Sequence, residues 1–132
     1  MENPLPPEFA DQYDVWKVLG TGGFGVVYQA RHRSLRRDVA LKVLHSEAFA
    51  DPDQRQRFLA EARITAALRH PRIVEVFDFG TAPSCSWIAY EFLSGHTLRK
   101  FAQDAASPAE LIAATVQVLE ALDFAHQAGV IH

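Results

Sequence analysis

Three glycines spaced Gly20-x-Gly22-x-x-Gly25 stand between two runs of strand-forming residues, and this arrangement constrains the fold more than any other feature. Val15, Trp16, Val18 and Leu19 precede the glycines, and Val26, Val27 and Tyr28 follow them. The spacing lets backbone N–H groups approach a polyphosphate without obstruction from Cβ atoms. In a dinucleotide-binding fold the third glycine would open a helix. Here Gly25 leads into β-branched residues with no helix cap, which predicts a loop between two antiparallel strands. Taken alone, the hexapeptide fits a ligand-free glycine-rich hairpin equally well.

The remaining elements follow in an order that selects the fold class. Val39, Leu41 and Val43 suit a third strand. Asp51-Pro52 opens a helix, with Asp51 as N-cap and Pro52 at the first helical position. That helix is expected to stop near His70, because Pro71 disfavours helical geometry in the residue before it. Ile73 to Phe79 and Trp87 to Leu93 predict two more strands around a turn containing Gly80, Pro83 and Ser84. Ser107-Pro108 starts a long helix in which Leu111, Thr115, Val118, Leu122 and Ala125 recur at helical spacing, and Gly129 ends it. A doubly wound sheet would alternate strand and helix throughout. Three strands, a helix, two strands and then helices predict an α+β fold: a five-stranded antiparallel sheet with one packed helix, followed by a helical segment. Residues 1–12, with Pro4, Pro6 and Pro7, read as a flexible tail.

Composition narrows the partners. The 132 residues suit one compact domain or part of a larger one, and 48% hydrophobic with 22% charged residues is ordinary for a globular chain. Thirteen Lys+Arg against sixteen Asp+Glu give a net charge of −3, which offers no basic field for nucleic acid. Arg31, Arg33, Arg36 and Arg37 are clustered between two strands and read as a solvated turn. The single cysteine, Cys85, has no basic neighbour to activate it, and no Cys/His set has zinc-ligand spacing, so no metal site is expected. His126 and His132 are read as structural. No apolar run reaches the length of a membrane span, and the lone cysteine fits a reducing, cytoplasmic location.

Two charged residues change the odds on the glycine loop. In Val39-Ala40-Leu41-Lys42-Val43 the strand period places Ala40 and Lys42 on one face and the three apolar residues on the other. A small residue beside a cation could admit a flat aromatic base and bring the ammonium to its phosphates. On the Pro52–His70 helix, Phe58, Glu61, Thr65 and Leu68 share a stripe expected to face the sheet. A carboxylate there needs a partner, and Lys42 would satisfy both groups. The plainer alternatives are a solvated edge-strand lysine and a glutamate pairing locally with Arg57 or Arg63.

Together these residues resemble the N-terminal lobe of a protein kinase. Leu19-Gly-Thr-Gly-Gly-Phe-Gly-Val-Val27 is similar to the family's glycine-rich loop, Val39-Ala-Leu-Lys42 to its strand-three lysine motif, and Glu61 to its helix-C glutamate. Trp87 to Gly95 resembles the fifth strand and hinge, and Leu122 to His132 resembles the end of a helix entering the catalytic loop. The flavour is that of bacterial eukaryotic-like Ser/Thr kinases. The resemblance implies a nucleotide-binding lobe over residues 13–93 and the first helices of a helical lobe over 94–132. It implies ATP as cofactor, with Leu19, Val27 and Ala40 around the adenine and backbone groups of Glu91 and Leu93 at its edge. Gly20, Thr21, Gly22, Gly23, Phe24 and Gly25 would cover the phosphates, Lys42 would contact them, and Glu61 would orient Lys42. Tyr90 would stand behind the adenine and leave only a small rear pocket.

The resemblance also exposes what these residues lack. His132 matches the first residue of the family's His-Arg-Asp motif, so the substrate-orienting aspartate and the Mg²⁺ ligands are not among residues 1–132. Asp78-Phe79-Gly80 spells the metal-binding tripeptide but precedes the hinge, so it is rejected as a metal site and Asp78 is read as a turn residue. The expectation is the ATP-binding portion of a Ser/Thr kinase cut short, inactive alone, with Mg²⁺ and a protein substrate belonging to the longer parent. A dimerising, non-catalytic nucleotide-binding module is the second reading, and an unrelated α+β binding domain the third. The apolar face of the helix from Ser107, including Leu111, Ile112, Val116, Val118, Leu119, Leu122 and Phe124, is expected to promote self-association.

Overall fold

A computed structural model of the chain describes residue 5 and residues 7–22, 25–104 and 107–131. It divides into two compact units, Met1–Ala67 with Glu75–Phe92, and Leu68–Val74 with Leu93–His132. The boundary thus differs from a single cut between 93 and 94, because Leu68–Val74 groups with the second unit. Inside that unit the His70 ring lies 5.0 Å from the ring of Phe124.

The first unit is built on a five-stranded sheet. Its strands, among the described residues, are β1 (Tyr13–Gly22), β2 (Gly25–His32), β3 (Arg37–His45), β4 (Val76–Thr81) and β5 (Cys85–Glu91). They lie in the order β1-β2-β3-β5-β4, and every neighbouring pair is antiparallel. Alternation along β3 gives the sheet its two faces. Val39, Leu41 and Val43 are buried on one face with Tyr28, Ala30, Cys85 and Ala89. On the other face Leu44 and Ile88 pack against Phe58 and Ala62 of helix α3 (Pro52–Ala67), which lies on the sheet as expected.

The first face is covered by the segment expected to be a flexible tail, and that expectation is corrected. Pro7–Ala10 form a helical turn, α1, and Leu5 and Phe9 are buried. The Phe9 ring meets that of Trp87 edge-on at 4.4 Å. Backbone bonds hold the segment: Gln12 N–H donates to the Phe9 carbonyl, and Arg33 N–H donates to the Gln12 carbonyl, each at 2.9 Å. The cause is hydrophobic. Helix α3 covers only one side of the sheet, so Val39, Leu41 and Val43 need apolar cover from elsewhere. Residues 1–4 and 6 lie outside the described residues.

Between β3 and α3 lies a short helix, α2 (Ser46–Ala50), too brief for its periodicity to be read in advance. Asp51 caps α3 as expected. Its Oδ1 accepts from the Asp53 N–H at 2.9 Å and its Oδ2 from the Gln54 amide at 3.2 Å. These bonds, the one to Asp53 foremost, hold the Asp51 carboxyl below the usual carboxylate range. Helix α3 stops at Ala67 rather than near His70. His70 instead closes the following turn, its carbonyl accepting from Ile73 N–H at 3.1 Å and its Nδ1 from Arg72 N–H at 3.0 Å. This turn delays β4 from the expected Ile73 to Val76.

Asp78, Phe79 and Gly80 lie within β4, which corrects the reading of Asp78 as a turn residue. Phe79 faces Ile88 across the ladder and packs toward α3, while the Trp87 ring covers Gly80 so closely that a Cβ would lie 2.7 Å from it. Of the arginine cluster expected to be a turn, Arg33 and Arg36 lie in the turn between β2 and β3, whereas Arg31 lies near the end of β2 and Arg37 opens β3, and two of the four are ion-paired. Arg33 donates twice to Asp14, at 2.8 and 2.6 Å, and Arg31 donates to Asp38 at 3.0 Å.

The second unit contains α4 (Leu98–Gln103), which had no counterpart in the sequence expectations, and α5 (Pro108–Gln127). Thr97 and Ser107 cap them, accepting from the N–H groups of Lys100 and Glu110 at 3.2 Å. On α5 Ala125 is buried, whereas Ile112, Val116, Val118 and Leu119 are exposed by 45–65%. Thr115 is off the inward stripe, its hydroxyl donating to the Leu111 carbonyl at 2.7 Å. Gly129, at φ +84°, ends the helix as expected, with Val130 N–H returning to the Ala125 carbonyl at 2.9 Å.

Candidate functional site

The sheet register sets the predicted residues side by side. Gly20 pairs with Val27, Val27 with Lys42, and Lys42 with Ile88, so a glycine, an apolar residue, a cation and a second apolar residue form one row across four strands. Ala40, two residues from Lys42 on the same face, stands between Gln29 and Tyr90. An irregularity in β1 between Val18 and Gly20 shifts the register there, and Leu19 beside it is 43% exposed.

Lys42 and Glu61 meet. The ammonium of Lys42 is 3.1 Å from both carboxylate oxygens of Glu61 and 5.7 Å from the centre of the Phe58 ring. A small cleft lined by Lys42, Arg57, Phe58 and Glu61 opens at this point. The pairing matches the expectation, but its burial does not. Glu61 is 45% exposed at its side chain and Lys42 25%, and Ala62 takes the buried place on α3 that the stripe had given to Glu61. In the observed helix Phe58 and Ala62, four apart, face the sheet, and Glu61 flanks them. An ion pair this open to water adds only about 0–1 kcal/mol of stability. Its consequence is therefore positional: it fixes where a cation points.

Sequence reasoning missed a third member. The Tyr90 hydroxyl donates to Glu61 Oε1 at 2.5 Å, so the same oxygen receives both the phenol and the ammonium. Burial raises the pKa of this phenol, and the bond to Glu61 and its negative charge raise it further, so it stays protonated and remains a donor. The available signal was the strand period, which puts Tyr90 on the same face of β5 as Ile88, toward α3.

The other predicted residues serve differing structural roles. Thr21 and Gly22 continue β1, opposite Val26 and Gly25. Space around Gly20 and Gly22 is open, with no atom within 4 Å of where a Cβ would stand. Gly25 differs: it has φ +138°, and a Cβ there would lie 2.1 Å from the Val43 carbonyl oxygen, so this glycine lets β2 approach β3. Gly23 and Phe24 lie outside the described residues, as does His132. Glu91 exchanges two bonds with Glu75: its N–H donates to the Glu75 carbonyl at 2.8 Å, and its carboxylate accepts from Glu75 N–H at 3.1 Å. Leu93, in the second unit, is 63% exposed. Among the described residues no three His, Cys, Asp or Glu side chains are grouped to hold a metal ion.

Comparison with known proteins agrees with this geometry. The family described as "Protein kinase domain" matches residues 13–132. The serine/threonine-protein kinase PknB of Mycobacterium leprae is 39% identical over 133 aligned residues, covering 96% of this chain and 21% of the relative. PknJ of Mycobacterium tuberculosis, also a serine/threonine-protein kinase, is 43% identical, covering 91% of this chain and 20% of the relative. The crystal structure of the M. tuberculosis PknI kinase domain superposes with a TM-score of 0.72 at 36% identity, covering 92% of this chain and 50% of that one. The chain thus spans about a fifth of these curated relatives and half of the solved kinase domain. The fold is that of a kinase N-terminal lobe with the start of the helical lobe, and the chain belongs to the protein kinase domain family.

Proposed function

We propose that residues 1–132 form the ATP-holding part of a protein kinase that transfers the γ-phosphate of ATP to serine or threonine of a protein substrate. The observation that carries this reading is the contact of Lys42 with both oxygens of Glu61. An ammonium has three donors, and Glu61 occupies two, leaving charge and a donor for a phosphate oxygen. Ala40 and Val27 offer small and apolar surface in the neighbouring register positions. Leu19 completes the apolar contacts to the adenine, while Gly20, Thr21, Gly22, Gly23, Phe24 and Gly25 cover the phosphates. Backbone groups of Glu91 and Leu93 bind the edge of the base.

ATP fits these residues; Mg²⁺ does not. The carboxylate at the site, Glu61, is already engaged by Lys42 and Tyr90. Phosphoryl transfer rests on positioning and charge stabilisation, and no catalytic-loop aspartate lies within residues 1–132. These residues on their own therefore hold nucleotide without turning it over, and metal and acceptor are bound by parts of the family's domain beyond them. A cytoplasmic location goes with this reading, since the lone Cys85 suits a reducing compartment. The test is autophosphorylation, with labelled ATP and magnesium, of the longer parent protein in which a complete kinase domain follows on from residues 1–132. Label on serine and threonine, lost in Lys42→Met, supports the reading, and labelling that survives the substitution contradicts it.

A further inference from the structure

Glu61 is held from two strands at once. Lys42 reaches it from β3, and Tyr90 reaches the same Oε1 from β5. The two holds differ in kind. Lysine is a flexible four-carbon stem, and an ion pair this exposed is weak. Tyrosine has two side-chain torsions, and its ring packs with the cluster formed by Leu44, Phe58, Ala62 and Ile88. Its hydroxyl is therefore delivered by a fixed post, and the bond ends on a charged acceptor.

We propose that Tyr90 is a positioning residue. Its phenol fixes the Glu61 carboxylate independently of Lys42, so the carboxylate keeps its place, and keeps aiming the lysine, when an anionic ligand takes a share of the ammonium. Without this bond, a phosphate sharing the ammonium of Lys42 would leave that weakened ion pair as the one polar hold on Glu61 among the described residues, at the moment the site needs it. The inference rests on the nucleotide-site reading for its functional meaning. The bond to Glu61 itself is independent of that reading.

The test uses the longer parent protein containing residues 1–132, as wild type, Tyr90→Phe, Glu61→Ala and the double variant. Phenylalanine keeps the ring and removes only the donor. Two quantities are measured: hydrogen exchange of the amides of residues 58–65 without nucleotide, and the dissociation constant for ATP. Tyr90→Phe is expected to speed exchange in this stretch about threefold to tenfold and to weaken ATP by a similar factor. In the Glu61→Ala background the same substitution is expected to change neither. A merely structural tyrosine would act equally in both backgrounds, and that outcome overturns the proposal, as does unchanged exchange in Tyr90→Phe. If wild type binds no ATP, the nucleotide reading fails, and the exchange arms still decide whether Tyr90 positions Glu61.

Discussion

Gly25→Ala separates the architectural use of the glycine loop from its proposed use as a phosphate cover. A Cβ at residue 25 would meet the Val43 carbonyl oxygen at 2.1 Å, with Leu44 Cα behind it at 3.4 Å. Both neighbours are backbone atoms of a central strand and cannot rotate away. The residue also has φ +138°, where an alanine is strained by about 1–3 kcal/mol. Forcing β2 away from β3 adds about 1–3 kcal/mol of overpacking. The sum, about 2–6 kcal/mol, is a large part of a typical domain stability of about 5–15 kcal/mol. Urea unfolding followed by tryptophan fluorescence should show the midpoint falling by roughly 1–3 M. Gly22→Ala is the control, since a Cβ there meets nothing within 4 Å. It should stay within about 0.5 kcal/mol of wild type. If Gly25→Ala were as stable as Gly22→Ala, the assignment of Gly25 to strand packing would be wrong.

Three further outcomes follow from the fold. Phe9→Ala should destabilise the first unit by about 3 kcal/mol, because a ring only 1% exposed is removed from the apolar face of the sheet; a loss under about 0.5 kcal/mol would restore the flexible-tail reading. Asp51 has a lowered pKa in the folded chain, so its cap contributes fully above the unfolded value of about 3.9 and is lost as pH falls through the folded value. Asp51→Asn caps without titrating, and acid unfolding monitored by circular dichroism should therefore be less steep in that variant below about pH 4; identical acid profiles would contradict the role given to Asp51. Residues 1–132 in isolation should self-associate through Ile112, Val116 and Leu119, which are 65%, 46% and 57% exposed; light scattering showing a monomer at high concentration would exclude that.

Much of this architecture is legible in the residues, and the exceptions have physical causes. The alternation of Val39, Leu41 and Val43 against Ala40 and Lys42 is a period-two signal, and the sheet places these residues as that period requires. The Lys42–Glu61 contact was legible because a cation and an acid on facing elements attract each other, although the depth of Glu61 was not. Helical spacing admits Phe58 with either Glu61 or Ala62, and only packing chooses Ala62. Leu5 and Phe9 were hidden by the prolines around them, whose local stiffness says nothing about which apolar surface lies nearby. Helices α2 and α4 have five and six residues, too few to repeat a face. Tyr90 was legible as bulk but not as a donor, because its acceptor lies 29 residues away on another element. The end of α3 depended on the His70 ring satisfying a turn, which no propensity encodes.

On the proposed function, Lys42, aimed by Glu61, binds the phosphates of a nucleotide. Equilibrium titration of ATP against wild type and Lys42→Met, followed by calorimetry without magnesium, tests it most directly. Saturable one-to-one binding by wild type, weakened at least tenfold in Lys42→Met, is the predicted result, corresponding to about 1.4 kcal/mol or more. Equal affinities for the two proteins, or no binding to either, would contradict nucleotide binding through Lys42.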